Sequence, residues 1–361
     1  MKITFNSNFP NNPTSSFYAA GFKKIQNISI NDFKNYEKYN IALFPSYLED
    51  LEEIKFALKE NPDIKIGVVD PRSRKLIKKY LPVIDFFIVD SIEMNDFWLD
   101  FNKPVHTYYE YPDISIQKKV HDETNEISIG YHGNKVHLTS IFPNLTRALE
   151  ILGEKYQIKL KAIYNIKELG KWEIGRPRNI SIKDIQWSED SYLSELKDCD
   201  IGIVPSLVPV KKSAKRKSKV SKFFLGNDDD YLIRFKMLSN PGRMIIFSRL
   251  HIPVVAEITP SHINFIKNGE NGFLAYSTGG WVNALEKLIK DHELRNSIAE
   301  KMFATHQSYF DHEVQNKLVL KFFEEILMRE SDKENSLKIR KLSTIEWIRF
   351  NNSFVLDKLN K

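Results

Sequence analysis

Short runs of uninterrupted apolar residues alternate with amphipathic stretches along the whole of this 361-residue chain. Residues 2–5, 41–44, 64–69, 86–89 and 105–108 read as strands, with helix-like segments at 48–59 and 74–80 between them. A strand with one wet face alternates polar and apolar residues. Runs without that alternation suit strands buried on both faces, as in a parallel sheet covered by helices. The second half repeats the scheme, with strands at 127–131, 158–163, 182–185, 201–204, 252–256 and 272–275 and helices at 140–152, 192–197, 244–250 and 281–290. Serial βα units of this kind predict an α/β architecture, here duplicated.

A chain of this length makes about two domains. The break is expected where the Tyr111-Pro112-Asp113 turn meets the polar segment 117–126, which gives units at 1–115 and 116–331. A second polar gap at 332–335 precedes a helix-like tail, 336–359, so that 332–361 forms a separate terminal unit. The composition, 42% hydrophobic and 28% charged, excludes a mainly disordered chain. No apolar run approaches the roughly 18 residues of a membrane span, and the N-terminus has no signal-peptide core. Cys199 is the only cysteine, which excludes disulfide scaffolds and cysteine-cluster metal sites. A soluble, cytoplasmic protein is expected.

The formal charge of +6 is local. Lys211, Lys212, Lys215, Arg216, Lys217, Lys219 and Lys222 crowd one stretch, and without it the excess vanishes. No aromatic residue is interleaved among these cations, although Phe223-Phe224-Leu225 follows. A stacking platform for nucleic acid mixes the two residue types, so nucleic acid is not the expected partner. Two readings of Lys211 to Lys222 stand level: contact with an anionic membrane surface or lipid-linked diphosphate, and a solvated mobile loop.

Four segments in order carry the chemistry. Gly130, His132, Gly133 and Asn134 bring small and polar residues to the end of the first strand of the second unit, where doubly wound sheets bind ligands. Taken alone they also describe an ordinary strand-to-helix turn. The strand 201–204 ends in Pro205-Ser206. Lys236, Ser239, Asn240 and Arg243 surround a Pro-Gly turn at a helix start, where backbone N–H groups, the helix dipole and two cations suit a phosphate or diphosphate. The plainer alternative is a capped helix with surface cations. The tight turn favours the phosphate. Last come 252–256, then Glu257, Ser261 and His262, then the glycine-bounded loop 268–272.

In this order the segments resemble the C-terminal domain of GT-B glycosyltransferases, in particular the group 1 enzymes. The stretch 252–274 is similar to the family's "G-x-P-V-V-A … N-G-x-N-G-F-L", 198–205 to its "C-D-I-x-I-x-P", and 236–243 to a "K-x-x-S-N-R" variant. The likeness covers about 127–303. It implies two Rossmann-like doubly wound domains facing a central cleft, with the C-terminal helix crossing back to the N-terminal domain. It implies a nucleotide-diphosphate sugar as donor substrate, no other cofactor and no metal, because cations and a helix N-terminus stabilise the leaving diphosphate. Donor contacts are then expected from Gly130, Gly133, Asn134, Ser206, Lys236, Ser239, Asn240, Arg243, Glu257, Ser261 and His262. His132 and Asp70 are the catalytic candidates. Asp70 ends a strand of the domain that supplies the base in inverting members, and its alternative is a solvated turn aspartate. Asn8, Ser15 and Arg72 are the acceptor-side candidates.

The chain departs from the family at its paired glutamates. Counting back from Pro253 puts Ile246 and Leu238 at those positions, so a retaining outcome is not inherited. The expected activity is hexosyl transfer to a glycan or lipid-linked acceptor in bacterial surface polysaccharide or glycoconjugate assembly. Two alternatives are a GT-B type nucleotide-sugar epimerase, which needs paired acidic groups around the sugar, and a non-catalytic basic protein that binds nucleic acid or membrane.

Overall fold

The structure, a computed structural model, describes residues 1–116, 118–189, 191–206 and 240–329. The basic segment 211–222, Lys236, Leu238, Ser239 and the tail 332–361 lie outside the described residues.

The apolar runs do form strands. A first parallel sheet has the order β2-β1-β3-β4-β5-β6: β1 Ile3–Phe5, β2 Ile28–Ile30, β3 Ile41–Pro45, β4 Lys65–Val69, β5 Phe86–Val89 and β6 Val105–Thr107. A second has the order β12-β11-β10-β7-β8-β9: β7 Glu126–His132, β8 Gln157–Tyr164, β9 Ser181–Gln186, β10 Ile201–Val204, β11 Val254–Glu257 and β12 Phe273–Ala275. In each sheet the chain starts centrally and winds outward in both directions. The switch points fall between β1 and β3 and between β7 and β10, and ligands bind beyond the strand ends at such points. Each sheet is packed by helices on both faces, which yields two apolar layers per domain.

One helix differs from expectation. The helix read at 140–152 runs over Asn144–Gly153, because Pro143 has no N–H to continue a helix and stands at its start, and a separate short helix, Lys135–Thr139, precedes it. The expected tail helix lies outside the described residues; among those described, a helix, His312–Met328, returns to the first domain. Its Val319, Phe323 and Ile326 join a core with Ile3, Phe5, Phe22 and Phe86. The Asn316 amide donates to the Gly21 carbonyl oxygen at 3.0 Å and accepts from the Tyr108 hydroxyl at 2.9 Å, which pins the strap.

Candidate active site

The carboxyl edges of the two sheets face each other across a cleft. A cavity of about 450 Å³ there is lined by Phe17, Glu110, Gly133, Trp187, Asn240 and Arg243 among others. A second, of about 530 Å³, shares Asn11, Ser16 and Tyr192 with it and runs along helix Pro13–Phe22 to Lys23 and Lys24.

On the second domain's side, His132 ends β7 and Gly133 follows at φ 139°, a region that favours glycine. A Cβ there would lie 3.4 Å from the Arg243 Cδ, so the backbone of the loop lies against that side chain. Arg243 is the second residue of helix Gly242–Arg249. Its Nη2 donates to the Ser206 Oγ at 3.3 Å, while its buried Nη1 has no partner. Burial pulls its pKa down, opposed by Tyr131 and Glu257. A guanidinium with a spare donor beside a helix N-terminus is equipped for an anion. His132 packs against Phe247 and Tyr192, and burial with the neighbouring Arg243 charge lowers its pKa to about 3. It is neutral at ordinary pH and offers a hydrogen bond, not a charge. Ile246 borders the cleft at one of the expected glutamate positions.

The other expected donor residues divide. Ser206, Glu257 and His262 knit the ends of β10 and β11: the Ser206 N–H donates to a Glu257 carboxylate oxygen at 2.5 Å, its Oγ lies 3.3 Å from the His262 Nε2, and the His262 Nδ1 donates to the Glu257 carbonyl at 2.6 Å. Asn134 lines the cleft, yet its side chain caps helix Lys135–Thr139 through the Val136 N–H. Gly130 lies inside β7, within the strand read at 127–131, and a Cβ there would meet the Cys199 Sγ at 2.8 Å, so close packing explains this glycine.

On the first domain's side, three acids end three neighbouring strands. Asp70 follows β4, Asp90 follows β5 and Glu110 lies beyond β6; all are at most 6% exposed. Asp70 sits at φ 49°, strained for a non-glycine residue, as happens at functional sites. Its Oδ2 accepts from the Arg72 Nε at 2.6 Å and the Thr14 hydroxyl at 3.3 Å, and its Oδ1 has no partner. Burial raises its pKa to about 7; Arg72 pulls it back and Asp90 pushes it further up. Burial, Asp90 and Asp70 hold Glu110 well above the usual carboxylate range. Arg72, placed by the sequence on the acceptor side, works here through Asp70.

Asn8 and Ser15 lie a step away from these acids. The Asn8 N–H and side-chain amide donate to the Asp50 Oδ1 at 2.6 and 3.0 Å, and the Ser7 hydroxyl links Ser15 to Asp50. They brace the loop after β1 rather than present free groups.

Contacts across the cleft use residues expected to hold the donor. The Asn240 Nδ2 donates to Asp90 at 2.9 Å and to Glu110 at 3.0 Å, while its Oδ1 accepts from the Gly242 N–H at 3.1 Å. Ser261 donates through its N–H and hydroxyl to Glu93, 2.8–3.1 Å away, and the Asn264 amide donates to the Tyr109 hydroxyl at 2.7 Å. Glu93 is nonetheless raised to about 7, because burial outweighs those bonds. Asn240 and Ser261 therefore close the domains. Sequence reasoning missed Asp90, Glu93 and Glu110. The signal for Asp90 was present, since Val89-Asp90 repeats the Val69-Asp70 pattern of an apolar run ending in an acid.

Among the described residues no helix is long and apolar enough to cross a membrane, and no group of three or more His, Cys, Asp or Glu is placed to hold a metal ion.

No family model and no curated protein matches the chain in sequence. Solved structures do match in shape. HepE from Anabaena, determined in complex with UDP, superposes with a TM-score of 0.59 at 11% identity, over 90% of this chain and 100% of that one. A glycosyltransferase from Rickettsia africae gives 0.54 at 14%, over 90% and 84%. Sucrose-phosphate synthase from Thermosynechococcus elongatus gives 0.51 at 11%, over 84% and 82%. With two doubly wound parallel sheets set edge to edge across a cleft, the chain has the GT-B fold that the sequence resemblance implied.

Proposed function

We propose that the protein transfers a sugar, of hexosyl type, from a nucleoside-diphosphate sugar to a glycan or lipid-linked acceptor. The observation that carries this reading is Arg243: a guanidinium with one unpartnered nitrogen, on the first turn of helix Gly242–Arg249, facing a cleft between two strand edges. A diphosphate leaving group needs charge stabilisation where it departs, and preorganised donors supply it. HepE has been determined with UDP and with UDP-glucose, which supports a uridine nucleotide as first choice. Asp70, with a free Oδ1 and a pKa near neutrality, is suited to take the acceptor's proton. Neither step calls for a metal or a further cofactor. Surface polysaccharide or glycoconjugate assembly in the cytoplasm is the setting proposed, with the basic segment Lys211 to Lys222 touching an anionic membrane. Deleting that segment should weaken vesicle or acceptor binding and spare nucleotide binding.

The test is thermal stability against UDP, GDP, CDP, ADP and CMP without added metal. A ligand at a hundred times its Kd adds about 2.7 kcal/mol to the folded state. A shift with one nucleotide supports the reading and names the donor class. No shift with any of them overturns it. One observation favours the epimerase as a second reading: Asp70, Asp90 and Glu110 are acids grouped at the cleft, which that chemistry requires. Incubation with a UDP-sugar in D2O separates the two, since only epimerisation through proton exchange places deuterium on the sugar.

A further inference from the structure

We infer that the carboxyl edge of the first sheet is a subsite for an ammonium group, and hence that the acceptor is an amine-bearing sugar or alcohol. This rests on the transferase reading, which makes the cleft the acceptor's entrance. The carboxyls of Asp70, Asp90 and Glu110 stand on three consecutive strand ends, and neighbouring parallel strands lie about 4.8 Å apart. Each has one oxygen already engaged: Asp70 by Arg72 and Thr14, Asp90 and Glu110 by the same Asn240 nitrogen. The remaining oxygens, Asp70 Oδ1, Asp90 Oδ1 and Glu110 Oε2, are buried and have no partner.

An independent observation lies beside them. Tyr18, from helix Pro13–Phe22, is completely buried with an unpartnered hydroxyl, within electrostatic reach of all three carboxyls and of Arg72. Four polar atoms closed to bulk water and left unsatisfied is a large deficit for one site, since each such group costs free energy until it finds a partner. Among the described residues Arg72 is the cation beside the three acids, paired with Asp70, and burial with mutual repulsion holds Asp70 and Glu110 toward their neutral forms until further positive charge arrives. A ligand that repairs both deficits brings donors and positive charge together. An ammonium has N–H donors and no acceptor, which matches the spare oxygens of Asp90 and Glu110 and leaves the Asp70 Oδ1 to the acceptor's hydroxyl. The Asn240 amide already shows a nitrogen donor bridging two of these acids from the cleft side.

The experiment is calorimetric titration of the full chain at pH 7 with glucosamine and with glucose, each with and without saturating UDP. The expected result is glucosamine at least ten-fold tighter than glucose. That preference should fall to within two-fold in the Asp90→Asn/Glu110→Gln variant, whose side chains keep their shape and their acceptor oxygens. Equal affinities, no glucosamine binding, or a preference that survives the double substitution overturns the assignment. UDP binding in the same preparations reports on folding and on the nucleotide reading. The comparison made without UDP stands even if UDP does not bind.

Discussion

The two strand edges that face the cleft share a fold and have opposite chemistry. At the end of the first sheet three buried acids face one arginine. At the end of the second, Arg243 stands on the first turn of a helix, and among the described acids of its own domain Glu257 is the one beside it, its carboxylate accepting from the Ser206 N–H. Both edges obey the rule that ligands bind beyond parallel strand ends. The contrast shows that topology selects the place, and that the residue following each strand selects the ligand. On the proposed reading, an acidic edge and a basic edge facing one cleft would orient a donor by its diphosphate on one side and an acceptor that loses a proton on the other.

The sharpest way to break this comparison is Asp70→Asn. If Asp70 is the base, transfer should fall by about 10²–10⁴-fold while UDP affinity stays within two-fold. In the parent protein the acid limb of kcat/KM should lie near pH 7, following the raised pKa of Asp70. An unchanged rate would leave the acidic edge without a catalytic role. On the opposite edge, Arg243→Met should cut transfer by about 10²–10³-fold, the usual cost of losing one donor to a developing anion, and should weaken UDP binding. Stability should not fall, because the removed charge is only partly paired and Ser206 keeps His262 as a neighbour. A loss of fold with the activity would make Arg243 structural.

A third substitution asks whether the closed arrangement of the two halves depends on pH. Glu93 has a pKa of about 7 in the fold against 4.5 ordinarily, so the folded state holds a proton that the unfolded chain has released. Its contribution is complete below pH 4.5 and is lost as pH rises through 7, by about 3 kcal/mol. His132 and His312 work the other way. Their pKa values of about 3, against 6.5, give stability that is present above pH 6.5 and lost on acidification. The wild-type profile therefore hides both slopes between pH 4.5 and 6.5. The difference between Glu93→Gln and wild type isolates the carboxyl: the variant should gain relative stability from pH 5 to pH 7.5 in denaturant titrations. A constant difference would mean that Ser261 holds Glu93 ionised throughout.

How far the sequence reached follows from the same physics. The sheets were legible because strands buried on both faces leave apolar runs with no polar interruption. Strand β2, Ile-Ser-Ile at a sheet edge and only half buried, and helix Pro13–Phe22, which opens on Pro-Thr-Ser-Ser, left no such mark. Hydropathy also gives a helix an apolar face without saying which sheet receives it, which is why the docking of His312–Met328 on the first domain was not legible. At the site, Arg243 and Asp70 were visible because local patterns expose them: a turn before a helix, and an acid after a strand. Glu110 was not, since its nearness to Asp70 depends on strand order. The bonds of Ser261 and Asn240 to Glu93, Asp90 and Glu110 were not legible either, because they form only when two domains meet.

The smallest effect separates two glycines that the sequence treated alike. Gly133→Ala puts a Cβ on backbone at φ 139° and against Arg243, so it should weaken UDP binding several-fold along with a loss of stability. Gly130→Ala meets the Cys199 Sγ and the Leu196 side chain behind the strand, away from the cleft. Its cost should be about 1–2 kcal/mol, the overpacking penalty reduced by the entropy that alanine saves in a strand. UDP affinity, measured on the folded fraction, should be unchanged. If Gly130→Ala instead weakens UDP and Gly133→Ala does not, the nucleotide sits deeper along β7 than the loop, and the cationic edge must be redrawn around the strand itself.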